Sequence, residues 1–138
     1  MKNVLRVLAA IAALIAGGVH VKLYLDGYDD ADGGVGVQFL LNAVGAVAIA
    51  IGLLAPLVSA RLPRWIPAWA SSGGIVWAAI SLVAFVLART DLGWFGFEDQ
   101  QTTLSDSTDA QLAVVPEVIV LAAATVLRGL SIFGSNEE

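Results

Sequence analysis

Four stretches of this chain run for about twenty residues or more with almost no charge, and no other feature limits the fold so tightly. They cover 4–25, 35–59, 65–88 and 112–133. Crossing roughly 30 Å of hydrocarbon takes about 20 mainly apolar residues. In that environment every backbone polar group must be satisfied within its own segment, which leaves the α-helix as the form such stretches can take. Only 14% of the 138 residues are charged and 58% are hydrophobic, whereas a soluble domain carries about 25% charged residues. The expected fold class is all-α: a membrane-embedded four-helix bundle, one domain over 1–138, with both termini on the same side.

The few charges fall between the apolar runs, and they orient the bundle. Cytoplasmic loops carry the excess of Lys and Arg. With the N-terminus inside, that side holds Lys2, Arg6, Arg61 and Arg64, with Arg128 reaching toward it from the last span, while the outer side holds only Lys22 and Arg89. Five basic residues against two place both termini in the cytoplasm and the loops 26–34 and 89–111 outside. The expected location is a multi-pass position in the plasma membrane, the inner membrane of a bacterium. The outer loops also concentrate Asp26, Asp29, Asp30, Asp32, Asp91, Glu98, Asp99, Asp106 and Asp109.

Local signals fill in the connections. Arg61-Leu62-Pro63-Arg64 is a tight turn, followed by Trp65 and Trp69 where an interfacial aromatic belt belongs. Pro67 falls in a first helical turn, where its missing N–H costs little. Asp29 to Gly34 reads as an outer turn. Trp94, Phe95 and Phe97, interleaved with Gly93 and Gly96, suggest a segment lying on the outer leaflet. Thr108-x-x-Gln111 matches a capping box and starts the fourth helix near Asp109. Pro116 then lies inside that helix, where a lost backbone bond predicts a kink; the alternative is that Pro116 begins the helix. The first segment, with Lys2 and Arg6 ahead of an alanine-rich run, also has signal-peptide character; it is read as a retained helix whose charged ends snorkel.

Lipid tails are as apolar as leucine, so helices in a bilayer associate through close packing of small residues and through polar contacts. Small or polar stripes occur at Ala9-x3-Ala13-x3-Gly17, Asn42-x3-Ala46-x3-Ala50 and Ala70-x3-Gly74-x3-Ala78. The polar residues inside the spans are His20, Gln38, Asn42 and Glu117, with Ser81 able to join them. At 1.5 Å per residue, His20 and Glu117 lie about 7 Å below the outer ends of their helices, and Gln38 and Asn42 about 5 and 10 Å. One slab therefore holds all of them. His20 and Tyr24 share a helical face, as do Gln38 and Asn42. An ionisable group in a span is a functional candidate with a named partner; for Glu117 the partner is His20, with Lys22 second. Three readings of the cluster His20, Tyr24, Gln38, Asn42 and Glu117 stand open: hydrogen bonding that holds the bundle together, a pocket for a quinone-like or lipid ligand, and a proton or ion path.

Other chemistry is excluded more quickly. There is no cysteine, one histidine and one methionine, Met1, so thiolate metal sites and bis-axial haem ligation within one chain have no ligands. Asp30-x-Asp32-Gly33 resembles part of an EF-hand loop, but aligned on Gly33 the first and twelfth positions are Tyr28 and Phe39. A loose cation site among Asp26, Asp29, Asp30 and Asp32 competes with a solvated acidic turn. No phosphate loop, no Ser–His–Asp arrangement and no basic nucleic-acid face is present. No catalytic residue and no cofactor is expected.

From Gly17-Gly18-Val19-His20 through Gln38-Phe39-Leu40-Leu41-Asn42, the chain resembles small four-helix bacterial membrane proteins grouped as DoxX-like. The shared pattern is a histidine ending helix one, a short outer loop and a Phe-Leu-Leu-Asn start to helix two. The resemblance implies the four-helix architecture and a link to respiratory membrane complexes. The function expected from the sequence is a non-catalytic accessory or scaffolding subunit of a larger membrane complex. Its partner would present a basic outer surface to the docking loops, through Asp29, Asp30 and Asp32 with Trp94, Phe95 and Phe97 as the apolar anchor. The alternatives are a membrane-embedded protein that binds a lipid-soluble ligand near His20 and Glu117, and a small transporter or channel.

Overall fold

A computed structural model describes residues 1–28, 30, 32–59, 61–63, 65–99, 103–105 and 107–133, without the side chains of Asp32 and Phe133. Four helices dominate it: α1 (Lys2–Leu23), α2 (Val35–Val58), α3 (Trp65–Leu87) and α4 (Thr108–Phe133). Each is long and apolar enough to cross a membrane. The apolar character extends right round each helix, as it must when the solvent is lipid: Val44, Val47, Ile51, Val76, Val83 and Val126 all point outward.

The helices form a four-sided ring. α1 packs on α2 and α4, α3 packs on the same two, and the diagonal pairs do not touch among the described residues. The small-residue stripes are what bring them together. Ala9, Ala13, Ala46 and Ala78 are fully buried, and Gly17 and Gly74 lie in the same seams. At Gly17 the approach is so close that a Cβ would stand 2.8 Å from that of Ala46. Toward the end where α1 begins and α4 ends, Ala50, Ile49, Leu53, Val120 and Leu127 fill a dense core. Toward the other end, here called the acidic end, the stripe of α1 gives way to His20 and the bundle becomes hollow.

The helix ends differ from expectation in instructive ways. α1 stops at Leu23 and continues as one wide π-type turn through Tyr28. α4 begins at Thr108, beside the expected start near Asp109, and Ser107 supplies the cap: its Oγ accepts from the N–H of Ala110 at 3.2 Å and its carbonyl from Gln111 at 3.1 Å. Ser107, not Thr108, is thus the capping residue, and the Gln111 side chain reaches back to the Ser105 carbonyl instead of closing a box. The helix runs through Pro116. α2 likewise contains Pro56, two residues before its end. The connection at 61–63 is a turn; Arg64 lies outside the described residues.

The segment 93–97 is a tight hairpin. Trp94 and Phe97 exchange backbone hydrogen bonds of 2.8 and 2.9 Å around Phe95 and Gly96. Both central residues have positive φ, 51° and 87°, the pattern of a type I′ turn. Gly33, at φ 70°, sits against the Phe95 carbonyl so closely that a side chain there would collide with it. The two loops at the acidic end are therefore locked to each other.

Candidate functional site

The hollow half of the bundle encloses a cavity of about 560 Å³, bordered by all four helices and roofed by both loops. Its floor is a polar chain contributed by one residue from each helix. Asn42 Nδ2 of α2 donates to Ser81 Oγ of α3 at 2.9 Å. Ser81 Oγ in turn donates to Glu117 Oε1 of α4 at 2.5 Å. His20 of α1 brings Nε2 to 3.8 Å from that same carboxylate oxygen. Glu117 is 1% exposed and His20 6%.

The hydrogen-bond directions follow from the chemistry of the groups. A backbone carbonyl can only accept, so His20 Nδ1 carries the hydrogen in its 2.7 Å bond to the Ala16 oxygen. Nε2 is left facing Glu117 and the cavity. Ser81 uses its one O–H on the carboxylate, so it must accept from the amide of Asn42, and this fixes the amide orientation. Asn42 Oδ1 is consequently a buried acceptor with no partner. Such an atom costs about 1–3 kcal/mol when left unmatched.

The walls and roof are aromatic. Phe39 stacks edge-on against His20 with centroids 5.2 Å apart, and Tyr28 bridges Phe39 and Phe97 at 5.5 and 5.8 Å. Trp77 donates its indole N–H to the Asn42 carbonyl at 3.0 Å. Trp94 donates to Gln38 Oε1 at 2.5 Å, and Gln38 Nε2 donates onward to the Gly33 carbonyl at 3.1 Å. Charged pairs ring the mouth. Lys22 Nζ joins Asp26 at 2.7 Å and Asp109 at 2.6 Å, tying α1 to α4. Arg89 covers the Phe85 ring, donates to the Phe85 carbonyl and lies 3.6 Å from Asp99. Burial lowers the Arg89 pKa from its usual value and Asp99 opposes that shift.

The structure thus brings His20, Asn42 and Glu117 together, with Gln38 above them in the roof. Tyr24 keeps helical geometry and its N–H bond to the His20 carbonyl but is not among the cavity residues; Tyr28, beyond Gly27 at φ 112°, lines the cavity instead. Lys22, the second partner considered for Glu117, is held by the two aspartates instead. Of the proposed docking residues, Asp29 and the Asp32 side chain lie outside the described residues, and Asp30 is exposed. Trp94 and Phe97 turn inward over the cavity, which leaves only Phe95, 73% exposed, on the outside. The inward turn follows from the type I′ hairpin, which sets Trp94 and Phe97 opposite each other beneath Phe95. Sequence reasoning missed Trp77 and Phe85 as cavity residues. Their spacing with Ser81, at i and i±4 on α3, was the available signal.

Among the described residues, no group of three His, Asp or Glu side chains is placed to hold a metal ion. Comparison with known proteins finds no matching family model, no matching curated protein and no matching solved structure.

Proposed function

We propose that this chain is a membrane-embedded binding protein whose cavity takes a lipid-soluble ligand with a polar head. The observation that carries this reading is the cavity itself, about 560 Å³ with aromatic walls and a polar floor, within the 300–1,000 Å³ range of small-molecule sites. A polar cluster that served only to hold helices together would gain from having every acceptor matched and the space around it filled. Here Asn42 Oδ1 is unmatched and the space is open. Of the residues behind the DoxX-like resemblance, His20, Gln38, Phe39, Leu41 and Asn42 border this cavity.

The test is extraction of the full chain, purified in mild detergent from its native membrane, followed by mass spectrometry of the solvent-soluble fraction. A small apolar molecule at about one per chain is expected, and Ala84→Phe, which grows a ring into the cavity, should lose it. Equal retention by that variant would place the molecule elsewhere and overturn the reading.

A docking role as an accessory subunit of a larger complex is favoured by a separate observation. Phe95 is held at φ 51°, a conformation costly for a bulky residue, with its ring projecting from the acidic end. A pull-down from native membranes that recovers a stoichiometric partner, lost on Phe95→Ser, supports that role. We place the acidic end outside the cell and both termini in the cytoplasm of the inner membrane, on the five-to-two division of basic residues.

A further inference from the structure

The cavity is walled on three sides and thin on the fourth. Its lining residues from the spans of α1 and α4, such as His20, Ala113, Val114 and Glu117, are buried or half-buried. Leu41 of α2 and Ile80 of α3 also line it, yet they are 65% and 54% exposed. A side chain that borders a cavity and also faces the surroundings marks a wall one residue thick. Leu41 lies six residues into α2 and Ile80 seven residues before the end of α3. At 1.5 Å per residue both stand about 9–10 Å below the acidic end, close to the level of the His20–Glu117 floor. Outside them at that depth is hydrocarbon. α2 and α3 are also the least closely packed of the four neighbouring pairs. At the acidic end Trp94, Gln38 and Gly33 are hydrogen-bonded across part of the mouth, and Asp26, Asp109 and Arg89 line the rest, a charged rim that an apolar tail would have to cross.

The floor specifies the head of the ligand. Asn42 Oδ1 is an acceptor without a donor but is buried away from the open space, so the head meets His20 and Glu117. His20 has committed its Nδ1 hydrogen to Ala16, so its neutral ring offers only the lone pair of Nε2. The carboxyl group of Glu117 adds further acceptor capacity. A head that brings O–H donors matches this set, whereas one carrying only ether or ester oxygens would leave acceptor facing acceptor.

We infer that the ligand is a membrane-dissolved amphiphile with a hydroxyl head seated against His20 and Glu117, and a single apolar tail leaving sideways between α2 and α3 past Leu41 and Ile80. This rests on the reading of the cavity as a binding site. Because α1 and α4 form the side opposite that gap, a head at His20 and Glu117 points its tail directly at it. The ligand is thereby drawn from the bilayer and never needs to pass the acidic loops.

Three fluorinated probes test this on the full chain in lipid nanodiscs, with binding read by ¹⁹F NMR: 4-decyl-2-fluorophenol, its methyl ether, and 2-fluorophenol. On the unsubstituted protein the decylphenol should bind saturably and the ether at least tenfold more weakly. Ile80→Trp, and independently Leu41→Trp, should weaken the decylphenol at least tenfold while leaving fluorophenol within about twofold. Ile51→Trp, a change of the same size on a lipid-facing residue away from the cavity that is 66% exposed, should leave all three probes as they were. Equal binding of the phenol and its ether overturns the hydroxyl head. Unchanged decylphenol binding in both Trp variants at the gap overturns the lateral passage. Failure of all three probes to saturate on the unsubstituted protein means that the cavity is no binding site, which is a failure of the underlying reading.

Discussion

The hydrogen bond from Ser81 to Glu117 is the link in the floor whose energy can be isolated. Removing Glu117 alone is ambiguous, because replacing a buried carboxyl with an apolar group can stabilise a protein as readily as destabilise it. A double-mutant cycle of Ser81→Ala and Glu117→Leu cancels those desolvation effects and leaves the coupling between the two side chains. Hydrogen bonds to charged groups contribute about 1.5–3 kcal/mol in soluble proteins, while polar contacts inside membrane bundles average about 0.6 and reach about 1.7. This bond is 2.5 Å long and its acceptor residue is 1% exposed, so the upper part of the membrane range applies. The expected coupling is about 1.5 kcal/mol, roughly tenfold in the unfolding equilibrium, measured by steric trapping in bicelles. Glu117→Gln keeps an oxygen in place to accept from Ser81 and should retain part of that coupling. Single effects that add to within about 0.3 kcal/mol would show that the floor is not joined in the way described, and the orientation assigned to Asn42 would go with it.

Gly17→Val should cost about 1–3 kcal/mol as an overpacked contact, because its Cβ would collide with Ala46; Gly18→Ala, with nothing within 4 Å, should be close to neutral in the same thermal assay, and equal effects would refute the α1–α2 seam. Lys22→Ala should lower thermal stability at low salt and have little effect near 1 M salt, since the exposed pairs to Asp26 and Asp109 are screened there; an effect independent of salt would point to packing by the lysine stem. Phe95→Gly should raise stability by about 1 kcal/mol by relieving the left-handed backbone, and a loss measured by steric trapping would show that the ring is anchored within the chain. Cysteine placed at Ser105 should label with an impermeant reagent in intact cells and cysteine at Leu62 should not; the reverse pattern would invert the topology.

The sequence by itself determined that four helices cross a membrane and which of their faces meet. Length and charge segregation set the spans, because an unbroken apolar run of that length satisfies its own backbone in hydrocarbon as a helix. The alanine and glycine stripes set the seams, because only small side chains permit that approach. It also placed His20, Asn42 and Glu117 at one depth, since helical rise is fixed. Tertiary structure decided what lies between them. Ser81 follows Ala78 on the stripe of α3, but that it bonds to both Asn42 and Glu117 depends on how the three helices meet. That Tyr28 rather than Tyr24 lines the cavity depends on how the chain turns at Gly27, where φ is 112°. The inward turn of Trp94 and Phe97 depends on the backbone of Phe95 and on Gly33 in a different loop, a contact across some sixty residues that no local pattern announces. The cavity is the clearest case. Empty space is not a property of any residue; it arises where the small side chains of α1 give way to larger ones at the ring's centre and close packing ends.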